Sequence, residues 1–88
     1  MNRLLISYDL MAPGQNYDDL IDYLESYAKR SHPLMSVWLI GTHKSTETVR
    51  DEIVALLDKD DKVIVVDTTG KAASWRPAGL DWLKNDEL

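Results

Sequence analysis

The stretch Arg3-Leu4-Leu5-Ile6-Ser7-Tyr8-Asp9-Leu10 decides how the rest of the chain is read. Leu4 to Ser7 are mostly aliphatic, then come an aromatic residue and a carboxylate. A near-continuous apolar run of this kind predicts a strand covered on both faces, or a central strand under helices. Asp9 falls where that strand should end, just before Pro13-Gly14, a turn signal. A carboxylate at the tip of a central strand is held by the strand and reachable by solvent, which suits chemistry. The plainer reading is that Asp9 caps the turn or the following helix, since Asp is a common turn residue.

Working outward, Asn16 reads as an N-cap, and Asp18 and Asp19 complement the dipole of a helix expected over Tyr17–Lys29. Tyr17, Leu20, Ile21, Leu24, Tyr27 and Ala28 recur at helical spacing and form its apolar face. Pro33 bars continuation, so Ser31-His32 reads as a connector. Leu34 to Thr42 reads as a second strand stretch, split or bent at Ser36. A second amphipathic helix is capped at Ser45 or Thr46, carries Val49, Ile53, Leu56 and Leu57, and stops at the polar turn Asp58-Lys59-Asp60-Asp61. Lys62 to Asp67, β-branched from Val63 to Val66, is the clearest strand.

The order β-α-β-α-β becomes β-α-β-β-α-β once the middle strand is split. This predicts an α+β fold of the ferredoxin-like kind, with two helices on one face of an antiparallel sheet, over residues 1–70. Residues 71–88 form a C-terminal extension expected to dock on the sheet or on a partner subunit, because Trp75 and Trp82 are unusual in a disordered tail. Ala78 to Lys84 reads as a short helix within it. The second sheet face needs a cover, and a second copy in a C2 homodimer is the simplest.

Composition narrows the chemistry. The 88 residues contain no Cys, which rules out a disulfide frame and a Cys-based metal site and fits a cytoplasmic protein. No secretory signal is read at the N-terminus, and no apolar run approaches the ~20 residues of a membrane span. The net charge of −5 argues against strong non-specific binding to RNA or DNA. His32 and His43 read as solvated loop residues with no zinc spacing. There is no glycine-rich phosphate loop and no GxSxG elbow. Asp58, Asp60 and Asp61 lack the rest of a calcium loop and read as a solvated turn. Trp38 reads as core rather than as a ligand platform. That leaves Asp9. One carboxylate rarely holds Mg²⁺ alone, but two copies across a dimer axis suffice if water or phosphate oxygens complete the shell.

At this point the motifs resemble a known family. Leu4-Leu5-Ile6-Ser7-Tyr8-Asp9 resembles the opening strand of the small CRISPR-associated adaptation endonucleases, the partner subunit of the spacer integrase. Ser36-Val37-Trp38 resembles that family's Ser-Val-Phe strand, and Asp61-Lys62-Val63-Ile64-Val65 its Asp-x-Val-x-Val strand. The virulence-associated protein D ribonucleases share the layout. The resemblance covers residues 3 to 67. It implies a ferredoxin-like homodimer and a metal-dependent endonuclease acting on RNA or DNA. It also implies Asp9 as catalytic residue and ligand of Mg²⁺ or Mn²⁺, with Tyr8 and Ser36 as supporting candidates near the cleft. Two departures mark a divergent member: few basic residues (Arg3, Lys29, Arg30, Lys44 and Arg50 among them) on an acidic background, and the two-Trp tail. The alternative is a non-catalytic dimeric adaptor that binds another protein.

Overall fold

Eight consecutive residues, Asn2–Asp9, form β1, and the alternation along it organises the structure. Leu4 and Ile6 are fully buried and Tyr8 nearly so, all pointing to one face; Leu5, Ser7 and Asp9 point to the other. The structure, a computed structural model, describes residues 1–11 and 17–69. The elements that follow are α1 (Asp18–Glu25), β2 (Lys29–Leu34), β3 (Val37–Thr42), α2 (Thr46–Val54) and β4 (Lys62–Asp67).

The fold is α+β: a four-stranded sheet of order β2-β3-β1-β4, with every neighbouring pair antiparallel, and two helices. β1 is paired on both sides, Leu4 opposite Ile40 on β3 and Asp67 on β4, Ile6 opposite Trp38 and Val65. Leu20 and Leu24 of α1 and Val49 and Ile53 of α2 join Leu4, Ile6, Tyr8, Trp38 and Ile40 in one core. Both helices therefore cover the same sheet face. Each fully buried aliphatic side chain there contributes about 1.5–3 kcal/mol of transfer free energy.

The last strand follows the sequence expectation closely, whereas the second helix begins as expected but ends at Val54, leaving Leu56 and Leu57 beyond it and short of the Asp58 turn. Ser45 caps α2, its hydroxyl accepting from the Thr48 amide at 3.1 Å. The first half differs in two places. α1 stops at Glu25 rather than Lys29: the Ser26 amide donates to Asp22 O, Ser26 Oγ donates to the Tyr23 carbonyl, and the Arg30 guanidinium donates to Tyr27 O. These bonds satisfy carbonyls that a helix end leaves open. The residues expected as a connector, Ser31 and His32, instead belong to β2, and the split of the middle strand falls at the Met35–Ser36 turn. β2 pairs only with β3, and its register shifts between Ser31 and Leu34. An edge strand with such an irregularity tolerates Pro33, which has no amide to donate.

Tyr17 holds the N-cap position of α1 without a side-chain cap bond. The expected cap Asn16, the turn at Pro13-Gly14 and the tail with Trp75 and Trp82 lie outside the described residues. No helix among the described residues is long and apolar enough to cross a membrane.

The two-sided reading of β1 makes a direct prediction. Ile6→Ala should lose about 2–5 kcal/mol through transfer and cavity terms. Thermal unfolding should then show a fall of roughly 10–40 °C for a domain of this size. Ile64→Ala, at a β4 site 57 % exposed, should shift the midpoint by less than about 5 °C.

Candidate functional site at the end of the central strand

Asp9 is the last residue of β1, and its register partner on β4 is Lys62. Residues directly opposite on antiparallel strands share a face. Asp9, Ser7 and Lys62 therefore stand together on the side of the sheet away from the helices. An open groove of about 180 Å³ runs there, lined by Ser7, Tyr8, Asp9, Lys62, Val63 and Ile64. Asp9 is exposed, and its carboxylate forms no hydrogen bond or ion pair among the described residues. It does not cap α1, whose N-cap position is held by Tyr17; the turn at Pro13-Gly14 lies outside the described residues.

The other two candidates take different positions. Tyr8 lies on the opposite face from Asp9, in the core, where its hydroxyl accepts from the Trp38 indole N–H at 3.1 Å. Its backbone amide donates to the Ser36 carbonyl at 3.2 Å. That bond brings the β2–β3 turn, and Ser36 with it, to the Asp9 end of the sheet. Ser36 thus joins Asp9 at one end, while the Tyr8 side chain serves the packing beneath.

Asp61, expected as part of a solvated turn, holds this end of the molecule together. Its Oδ1 accepts from the Met11 amide at 2.7 Å and from the Tyr17 hydroxyl at 2.8 Å; its Oδ2 accepts from the Asp58 amide at 2.7 Å. One carboxylate so ties the residue two positions beyond Asp9, the start of α1 and the α2–β4 turn. Desolvation pushes the Asp61 carboxyl up, but the bonds from Met11, Tyr17 and Asp58 outweigh it and hold the group below the usual carboxylate value. The sequence marks only the local bond to Asp58, because the other two partners lie 44 and 50 residues away.

Charge is distributed against a simple phosphate groove. Arg3 is buried and shares a cross-strand row with Gly41 and Lys29, at the end of the sheet away from Asp9. Lys44 pairs with Glu52 at 2.8 Å and lies over the Tyr23 and Tyr27 rings. The Tyr23 hydroxyl, hydrogen-bonded to Tyr27 and Glu52, is pushed well above the usual tyrosine value by burial first and by these bonds second. That cluster fastens α1 to α2 and offers no base. Arg50 pairs with Asp51 at 2.9 Å. Lys62 is the cation next to Asp9.

Among the described residues no group of three or more His, Asp or Glu is arranged to hold a metal ion. Mg²⁺ usually keeps several waters and takes one or two carboxylates, and one chain offers a single unpaired carboxylate here. No family model, curated protein or solved structure matches the chain.

The Asp61 bracket sets a pH dependence. A carboxyl held low in the folded state stabilises the fold above its unfolded pKa, and that contribution is lost as pH falls through the lowered folded value. Asp67, held low by the Thr69 hydroxyl and amide, and Glu52, held low by Lys44 and Tyr23, act in the same sense. The urea midpoint should therefore decline as pH drops from about 5 towards 2. Asp61→Asn should lower the midpoint at pH 7 and make the acid decline shallower. An unchanged slope would remove Asp61 from the account.

Proposed function

We propose that this chain is a metal-dependent endonuclease of the CRISPR-adaptation type. It acts on RNA or DNA as a homodimer, with Asp9 of each subunit as catalytic residue and metal ligand. The observation that carries the reading is the free, exposed Asp9 carboxylate at the end of the central strand, on the sheet face that the helices leave uncovered. The ferredoxin-like assignment belongs to the same proposal. It is supported by the element order β-α-β-β-α-β and the all-antiparallel strand order β2-β3-β1-β4. A cytoplasmic location is in keeping with the lack of Cys.

The residues have distinct parts. The two Asp9 carboxylates would hold one Mg²⁺ or Mn²⁺, leaving its other positions to water and phosphate oxygens. A divalent cation so held polarises a phosphoryl oxygen and stabilises charge that develops on it. Lys62 stands beside Asp9 and supplies the local positive charge for a phosphate in the groove. Asp61 is a positioning residue, because it fixes the chain immediately after Asp9. Ser36 lines the same end of the sheet.

A second reading, the non-catalytic dimeric adaptor, draws on one specific observation. Lys44 and Arg50 are paired with carboxylates, in a chain of net charge −5. The two readings separate in one assay. Labelled single-stranded RNA and duplex DNA are incubated with wild type and with Asp9→Ala, in Mg²⁺ or Mn²⁺, after both have been matched for folding and for sedimentation as a dimer. The endonuclease reading expects metal-dependent cleavage that falls at least about 100-fold in Asp9→Ala. Cleavage that persists in the variant points to a contaminant or to a site other than Asp9; a wild type inert on both substrates over a range of pH leaves the adaptor.

A further inference from the structure

A second groove lies on the helix side of the sheet, at its β2 edge. It is open, holds about 610 Å³, and is lined by Glu25, Arg30, Ser31, His32 and Trp38. That volume is in the range of small-molecule sites, roughly 300–1,000 Å³. Its floor is an aromatic stack: the His32 ring lies over Trp38 at 4.1 Å between centroids, with 13° between the planes. A hydrogen bond of 2.9 Å joins His32 Nε2 to the Met35 carbonyl, and because a carbonyl only accepts, Nε2 is the donor. His32 is itself exposed. The imidazole is therefore held flat by two constraints, with Trp38 beneath it and solvent beside it. A ring fixed in this way has already lost the rotamer freedom that a ligand would otherwise have to remove.

The charged groups at the rim differ in kind. Glu25, the last residue of α1, is exposed and only accepts hydrogen bonds when ionised. Arg30 is anchored by one bond from its guanidinium to the Tyr27 carbonyl at 3.0 Å, which leaves its remaining N–H donors for a ligand. A flat platform, a carboxylate acceptor and an oriented guanidinium in one groove match a planar ligand with a donor edge and an anionic substituent. Among nucleobases, guanine presents two adjacent donors, N1–H and the 2-amino group, to a single carboxylate. A base reaches such a platform only when it is out of a duplex.

We infer that this groove binds a guanine base of a nucleotide. The base stacks on His32, Glu25 accepts from its Watson–Crick edge, and Arg30 engages the phosphate. The base arrives free or in single-stranded nucleic acid. The inference deepens the endonuclease reading, because it names a base that its substrate presents, and it rests on that reading for the biological role. The site is separate from Asp9, so binding without metal is measured independently of cleavage.

The test is a titration of the isotope-labelled full chain, in the absence of divalent metal. GMP, AMP and UMP are added in turn, followed by a short oligouridylate with one central guanosine, while the His32 ring, the Trp38 indole N–H and the Arg30 guanidinium are observed by NMR. The expected result is saturable shifts of all three with GMP, and binding at least tenfold weaker for AMP and UMP. His32→Ala should weaken GMP about tenfold or more, and His32→Phe should recover most of the loss, since stacking needs only a ring. Glu25→Gln, at an exposed helix end, should remove the preference for GMP and keeps the inference testable if a His32 variant does not fold. Equal binding of GMP and UMP, or GMP shifts that His32→Ala leaves unchanged, would overturn it. An oligonucleotide that binds at least as tightly as GMP supports the nucleic-acid source. One that fails to compete with GMP overturns the link to the endonuclease substrate.

Discussion

The double pairing of β1 is the constraint on which the structure depends. With β3 on one side and β4 on the other, its backbone groups are satisfied along both edges, and its side chains are free to alternate between two environments. Leu4, Ile6 and Tyr8 go to the helices and build the core. Leu5, Ser7 and Asp9 go to the other face. A shift of one residue would exchange the sets and drive Asp9 into the core, where an unpaired carboxylate is costly. The packing that stabilises the domain and the exposure of Asp9 thus come from one register.

The polar contacts at the Asp9 end bind three segments together. Asp61 replaces a local cap with bonds to Met11, Tyr17 and Asp58. Its exchange of water for three donors is favourable because each is a fixed N–H or O–H, so little entropy is lost at the moment of bonding. The Lys44–Glu52 pair and the Tyr23 and Tyr27 hydroxyls do comparable work between the helices. Because those cations are committed to internal contacts, the surface field is set mainly by the excess of carboxylates.

The two edges of the sheet differ. β2 carries Pro33 and a register shift, features that discourage pairing with another strand. β4, the other edge among the described residues, is regular and ends in Lys62 and Asp67, with Ile64 and Val66 exposed on the face away from the helices. Those two apolar side chains lie on the same side as Asp9.

Much of the architecture was legible in the chain itself. The aliphatic run before Asp9, the β-branched run from Val63 to Val66 and the Ser45 cap each reflect local physics: which residues pleat, which pack at helical spacing, which satisfy a first amide. These features were enough for the element order, the α+β class, and Asp9 as the exposed strand-end carboxylate. Tertiary structure decided the rest. Whether Lys29 to Leu34 continued a helix or formed an edge strand depended on β3 being there to pair with it, and local propensity with a proline in view favoured a connector. Tyr8 became a core residue because Trp38 stood across the sheet to bond it. Asp61 became a bracket, and His32 the surface of an aromatic stack, through partners distant in sequence or on another strand. Spacing along the chain carries information about neighbours within a turn or a strand; which side chains meet across elements is set only when the register closes.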